Sequence, residues 1–235
     1  MLIKVINPNT TRAMTETIGE CARSVAGPGV SIDAVSPATG PVSIESHFDD
    51  AMSVPGVLEE VAAGELAGVD AYVIACFGDP GLLAAREVAV GPVIGIAEAA
   101  MRTAAYLGRG FSVVTTLERT VGHTWDLASH YGLRAQCRGV HATGIPVVEL
   151  ETDPDAYAKV LAASLAALDE DGSDAIVLGC AGMADLCARL GADLGVPVVD
   201  GVAAATLTAQ SLVTMGLATG KRGEFAYPPE KAVRV

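Results

Sequence analysis

The sequence predicts an α/β protein of two similar open parallel-sheet lobes, related by a pseudo-twofold duplication, with an active site in the cleft between them. Three observations predict it. Short runs rich in Val, Ile and Leu, as in strands buried on both faces, alternate with stretches of helical period along the chain. The run Gly68-Val-Asp70-Ala-Tyr-Val73-Ile-Ala-Cys76 is matched by Gly172-Ser-Asp174-Ala175-Ile-Val177-Leu-Gly-Cys180, 104 residues later. Phe111-Ser-Val-Val-Thr115-Thr116 echoes Leu2-Ile-Lys-Val-Ile6-Asn7 at an offset of 109, and Gly195-Val-Pro197 echoes Gly91-Pro92 at 105. Small insertions between duplicated halves leave such a drift.

In chain order, Leu2 to Ile6 is a strand and Asn7 to Thr11 the turn after it. Thr15 to Val25 reads as a helix with Met14, Ile18, Cys21 and Val25 on one face, which assigns Cys21 to the core. Val30 to Val35 is a strand, and Ser36 to Phe48, with Pro37, Gly40 and Pro41, is a loop long enough to carry function. Asp50 to Glu65 is helical, with a break expected at Pro55-Gly56. After Cys76, Asp79 is placed to cap a helix whose first position is Pro80. A strand at Gly91 to Ile96 and an Ala-rich helix from Ala97 to Leu107 close the first cycle.

The second cycle repeats the order. A strand at Phe111 to Thr116 leads to a helix over Thr120 to Tyr131, a strand over Arg134 to Ala142 and a loop over Thr143 to Thr152. Pro154 to Asp169 is helical, and the Cys180 strand is followed by a helix from Met183. A strand before Gly201, an apolar helix from Ala203 to Met215 and an extended surface tail from Thr219 to Val235 complete the chain.

Composition narrows the function. A net charge of −13 argues against a nucleic-acid surface, which needs cations to neutralise phosphate. No apolar run is long enough to span a bilayer, and the first residues run straight into a strand without signal-peptide organisation, so a cytoplasmic protein is expected. Five cysteines, an odd number without CxxC spacing, suit neither a disulfide framework nor a zinc site. His47, His123, His130 and His141 form no ligand set, so no metal is expected. Cys137 and Cys187 have no counterparts in the repeat and read as structural.

The chemistry concentrates at Cys76 and Cys180. Each ends a strand, where open α/β sheets bind ligands, and each is followed by glycine and helix-start residues. A helix N-terminus favours thiolate, so both thiols are expected below their reference pKa of about 8.5. Such a group takes and returns a proton near neutral pH.

These stretches resemble the hydantoin racemase group of the aspartate/glutamate racemase superfamily. The resemblance rests on Asn7-Pro8-Asn9-Thr10, Ala75-Cys76-Phe77-Gly78-Asp79-Pro80-Gly81, Val114-Thr115-Thr116, Leu178-Gly179-Cys180-Ala181-Gly182-Met183 and Gly195-Val-Pro-Val-Val-Asp200-Gly, and covers nearly the whole chain. It implies cofactor-independent proton transfer between two thiols on opposite faces of one stereocentre. It also implies that the last helix and tail return to the first lobe, giving residues 1–97 plus 206–235 and a second lobe of 98–205. Amino-acid racemases of this fold carry groups suited to a charged ammonium and carboxylate where this chain has Asn7, Phe77 and Ala181-Gly182. The substitutions suit a flat, neutral ring such as a 5-monosubstituted hydantoin, allantoin among them.

On this reading one cysteine removes the C5 proton and the other protonates the opposite face. Backbone N–H groups around Gly78-Asp79 and Ala181-Gly182 stabilise the developing oxyanion, and Asn7, Thr115 and Thr116 hold the amide edge of the ring. Pro8 and Asn9 complete the first turn and, with Phe77, are expected to contact the substrate. Competing readings are a one-thiol decarboxylase or isomerase on the same fold and, from a different class, a solute-binding protein. The smooth helices at Ala97 to Leu107 and Ala203 to Met215 suggest a homo-oligomer.

Overall fold

A computed structural model describes residues 1–150 and 152–229. Among the described residues eight strands and eight α-helices alternate. The first half runs β1 (Leu2–Ile6), α1 (Arg12–Val25), β2 (Ser31–Val35), α2 (His47–Ala67), β3 (Ala71–Ile74), α3 (Leu82–Val88), β4 (Val93–Gly95) and α4 (Ile96–Ala104). The second runs β5 (Phe111–Thr115), α5 (Val121–His130), β6 (Cys137–Ala142), α6 (Ala156–Asp171), β7 (Ala175–Leu178), α7 (Cys187–Leu194), β8 (Val198–Val199) and α8 (Gly201–Thr214).

The strands form two four-stranded sheets of the same order, β2-β1-β3-β4 and β6-β5-β7-β8, with every pair parallel. The duplication extends to register. Ile6 lies opposite Ile74 and Val114 opposite Leu178, and the next bonds, Ala75 N–H to Ile6 O and Gly179 N–H to Val114 O, are both 2.8 Å. Cys76 and Cys180 therefore leave their sheets at the same level. The three residues Tyr72, Val73 and Ile74 are wholly buried, as are Ile176 and Val177, which is why the strands read as continuous apolar runs rather than alternating ones.

Helix α2 is continuous through Pro55 and begins at His47 rather than Asp50. Ser46 caps it: its Oγ accepts the Asp49 N–H at 3.2 Å and donates to Asp49 Oδ2 at 2.7 Å. A proline within a helix forfeits one backbone bond, and packing compensates here. The Gly56 Cα meets Pro37 of the preceding loop so closely that a Cβ would come within 2.7 Å of the Pro37 Cβ.

Helices α4 and α8 form a layer between the lobes. Ile96 and Ala99 pack with Ile3, Val5 and Val73 of the first lobe, while Ala97, Ala100, Met101 and Ala104 pack with Phe111, Val113 and Val177 of the second. In α8, Val202, Ala205 and Ala209 join the first-lobe core. The smoothness that suggested a partner chain is thus covered largely within the chain itself. The described part of the tail lies on the first lobe, with Thr219 N–H on Val90 O and the Lys221 ammonium on the Arg86 and Glu87 carbonyls. Its remaining residues, 230–235, lie outside the described part. No helix is long and apolar enough to cross a membrane among the described residues.

Candidate active site

The carboxyl ends of the two sheets share one cavity, and Cys76 and Cys180 both line it. Each cysteine sits in the same turn. Asp79 N–H closes on Cys76 O at 2.9 Å and Met183 N–H on Cys180 O at 3.1 Å, while the Gly78 and Gly182 N–H groups are directed at the two sulfurs. The residue after each cysteine crosses to the other lobe. Phe77 is 6% exposed and packs in the second-lobe core with Ala100 and Phe111, and Ala181 is 4% exposed and packs in the first-lobe core with Ile18 and Val202. This exchange pins both thiols at the interface.

The thiols differ from expectation in one respect. Both lie above their ordinary pKa, because burial disfavours thiolate more than the single N–H donor favours it; Cys180 is pushed up to about 11, and Cys76 is raised further. The helix ends also sit differently. After Cys180 comes a 3₁₀ segment, Ala181–Leu186, and α3 begins only at Leu82, behind Gly81. Neither cysteine runs directly into an α-helix, so the helix start expected behind each thiol is displaced along the chain.

Asp79 caps a different helix from the one expected. Its Oδ1 accepts Ala97 N–H at 3.0 Å and its Oδ2 accepts Glu98 N–H at 2.9 Å and the Tyr131 hydroxyl at 2.5 Å, so it holds the first turn of α4 and the end of α5. Burial raises its carboxyl to about 6 against those three donors. It does not line the cavity, and its own N–H is engaged by Cys76 O.

The other expected contacts divide. Asn9, Phe77, Gly78, Thr115, Thr116 and Ala181 line the cavity. Asn7, 1% exposed, does not: its amide donates to Asn9 Oδ1 at 2.9 Å and Thr15 Oγ1 at 3.0 Å, fixing the turn that presents Asn9. Pro8 stands outside the lining, and Gly182 lies behind Cys180 with its Cβ position 3.7 Å from the sulfur. Thr115 Oγ1 pairs with Thr120 Oγ1 at 3.0 Å. Cys21 is half-buried at the core edge, donating to Asp200 Oδ1 at 3.2 Å, and Cys137 is buried.

Residues not assigned from the sequence complete the wall. The start of α2 contributes His47 and Asp50, and α5 contributes His123. The imidazoles of His47 and His123 meet edge to face across the lobes with centroids 5.3 Å apart. Glu45 Oε1 accepts the Val147 N–H at 2.7 Å, a second tie across the cleft. The length of the Ser36 to Phe48 loop was the one signal that this segment reaches the site. Among the described residues no group of three or more His, Cys, Asp or Glu side chains could hold a metal ion.

A family model described as Asp/Glu/Hydantoin racemase matches residues 3–209. The chain belongs to that family. Hydantoin racemase of Rhizobium meliloti is 52% identical over 99% of this chain and 97% of that protein. Allantoin racemase from Klebsiella pneumoniae superposes with a TM-score of 0.98 at 54% identity, covering 100% of this chain and 96% of that one. Allantoin racemase from Pseudomonas fluorescens gives 0.95 at 41%, covering both chains fully. Membership in the racemase family makes the chain an isomerase, and the cavity at its two sheet ends is the place to look for the reaction.

Proposed function

We propose that this racemase acts on 5-monosubstituted hydantoins, transferring the C5 proton between Cys76 and Cys180 without a cofactor. The observation that carries the reading is the pair of superposable cysteine turns opening into one cavity. A one-thiol decarboxylase or isomerase would leave one of the two turns unexplained. The names of the relatives, hydantoin and allantoin racemases at 52% and 54% identity, support a cyclic ureide as substrate. The division into residues 1–97 plus 206–235 and 98–205 is part of this reading, supported by the packing of α8 on the first sheet. A homo-oligomer is part of it too, supported by the exposed Leu207 within α8 and Met215 and Leu217 just after it.

In the proposed step a thiolate takes the C5 proton, charge moves to the neighbouring carbonyl oxygen, and the opposite thiol returns a proton to the other face. Of the expected oxyanion donors Ala181 N–H stays free, whereas the Asp79 N–H is engaged and Gly78 and Gly182 serve the sulfurs. Phe77 and Ala181 line the cavity, and their backbone N–H groups carry no hydrogen bond among the described residues. One such donor is typically worth about 3–4 kcal/mol in the transition state.

Incubation with one enantiomer of allantoin, 5-benzylhydantoin or 5-isobutylhydantoin should bring optical rotation to zero well above the spontaneous rate. No acceleration for any of the three would overturn the reading. Because both thiols rest above their ordinary range, kcat/KM should climb about tenfold per pH unit from pH 7 towards 9, once the spontaneous rate is subtracted. A plateau across that window would mean that a thiolate is already held at neutral pH.

A further inference from the structure

The two cysteine turns share a backbone but not their surroundings. Where a Cβ on Gly78 would sit, the nearest atoms are Asp50 Oδ1 at 2.8 Å, His123 Nε2 at 3.4 Å and Cys76 Sγ at 3.9 Å. At the matching point on Gly182 they are Leu150 Cδ1 at 3.1 Å, Cys180 Sγ at 3.7 Å and Met14 Cε at 3.7 Å. Position 78 is glycine because a carboxylate oxygen occupies the space. That oxygen is buried and accepts no hydrogen bond, although a buried carboxylate normally collects two or more donors. A carboxyl oxygen without a donor beside one thiol, replaced by hydrocarbon at the matching point beside the other, makes the two surroundings unequal.

We propose, building on the two-thiol reading, that Asp50 is a positioning residue that keeps Cys76 as the resting thiol and leaves Cys180 as the group that ionises. A Cys180 thiolate then takes the C5 proton and becomes a thiol, while the Cys76 S–H bond breaks and its proton goes to the opposite face. Solvent afterwards removes a proton from Cys180 and returns one to Cys76, with no net change in electrons. The enantiomer presenting its hydrogen to Cys180 is turned over from the more populated of the two thiolate forms and its mirror image from the less populated one.

The other charges near the thiols do not restore equality. Asp79, in the Cys76 turn, has its carboxylate shared among three donors, and Glu45, on the Cys180 side, has Oε1 bonded to Val147 N–H. His47 and His123 oppose Asp50 when they carry a proton, and Arg119 lines the same cavity from the loop after β5. Among the described residues, Asp50 is the carboxylate near either sulfur that combines burial with the absence of a donor on its buried oxygen.

The test needs no substrate. The full chain is alkylated briefly with iodoacetamide at pH 8 and each cysteine is quantified by peptide mass spectrometry. Cys180 should label faster than Cys76. Asp50→Asn should speed Cys76 about tenfold or more while leaving Cys180 within about twofold, the scale of one charge at this range in a partly buried site. Asp50→Glu should keep the original order. Labelling of buried Cys137 reports any loosening of the fold, and Asp50→Ala provides a second variant if the Asn form loosens. Faster labelling of Cys76 than of Cys180 in the unmodified protein, or an equal gain at both cysteines in the variants, would overturn the proposal. Either result leaves the racemase reading standing, since only the optical-rotation assay tests that.

Discussion

Cys76→Ser and Cys180→Ser should each lower racemisation by about a thousandfold or more, because a hydroxyl is too weak an acid near neutral pH to replace either thiol. The two losses should nonetheless differ in kind. With one thiol gone, the survivor still removes a proton from the enantiomer that presents its hydrogen to that side. In D2O it then returns a deuteron to the same face. Each variant should therefore exchange the C5 hydrogen of one enantiomer with retention of configuration and leave the other untouched, with mirror preference between the variants. Exchange should be faster in Cys76→Ser, where Cys180 survives beside hydrocarbon rather than beside Asp50. The readout is proton NMR of each enantiomer with chiral chromatography of the product. Exchange of the same enantiomer by both variants would mean that one cysteine is no base, and the one-thiol alternative would take its place.

Asp79→Asn should destabilise the protein by about 2–4 kcal/mol. Two carboxylate oxygens hold three donors, Ala97 N–H, Glu98 N–H and the Tyr131 hydroxyl, all of them in or beside the layer between the lobes. An amide has one acceptor oxygen, so whichever way it turns its NH2 faces at least one of those donors. The site cannot relax, since a methyl added at Gly95 would already overlap the Asp79 carboxyl group. Equilibrium urea unfolding measures the loss. A change below about 0.5 kcal/mol would show that the three bonds do not act together in solution.

Much of this was legible in the sequence because it depends on local pattern. A strand buried on both faces must be apolar along its length, so the eight strands announce themselves, and a duplicated chain repeats its cysteines at matched strand ends. The shared cavity follows from those placements, while the strand order within each sheet is seen only in the structure. The start of α2 was also written in Ser46-His47-Phe48-Asp49, a cap followed by an acid three residues on.

What only the tertiary structure decided is where polar groups find partners and how much water each site keeps. Asp79 follows a strand and precedes a proline, which makes it a plausible cap for α3. It caps α4 because β4 lies beside β3 and brings Ala97 and Glu98 within reach. Asn7 turns inward for the same kind of reason, with Asn9 and Thr15 nearer than the cavity. The thiols rest high rather than low because desolvation belongs to the closed interface, where Phe77 and Ala181 cross between cores, and not to the residues flanking each cysteine. Asp50 lies 26 residues before Cys76, so sequence alone could not place its carboxylate against Gly78. Local pattern sets which elements form; long-range packing sets which acceptor meets which donor, and with it the inequality of two thiols that the sequence presents as equals.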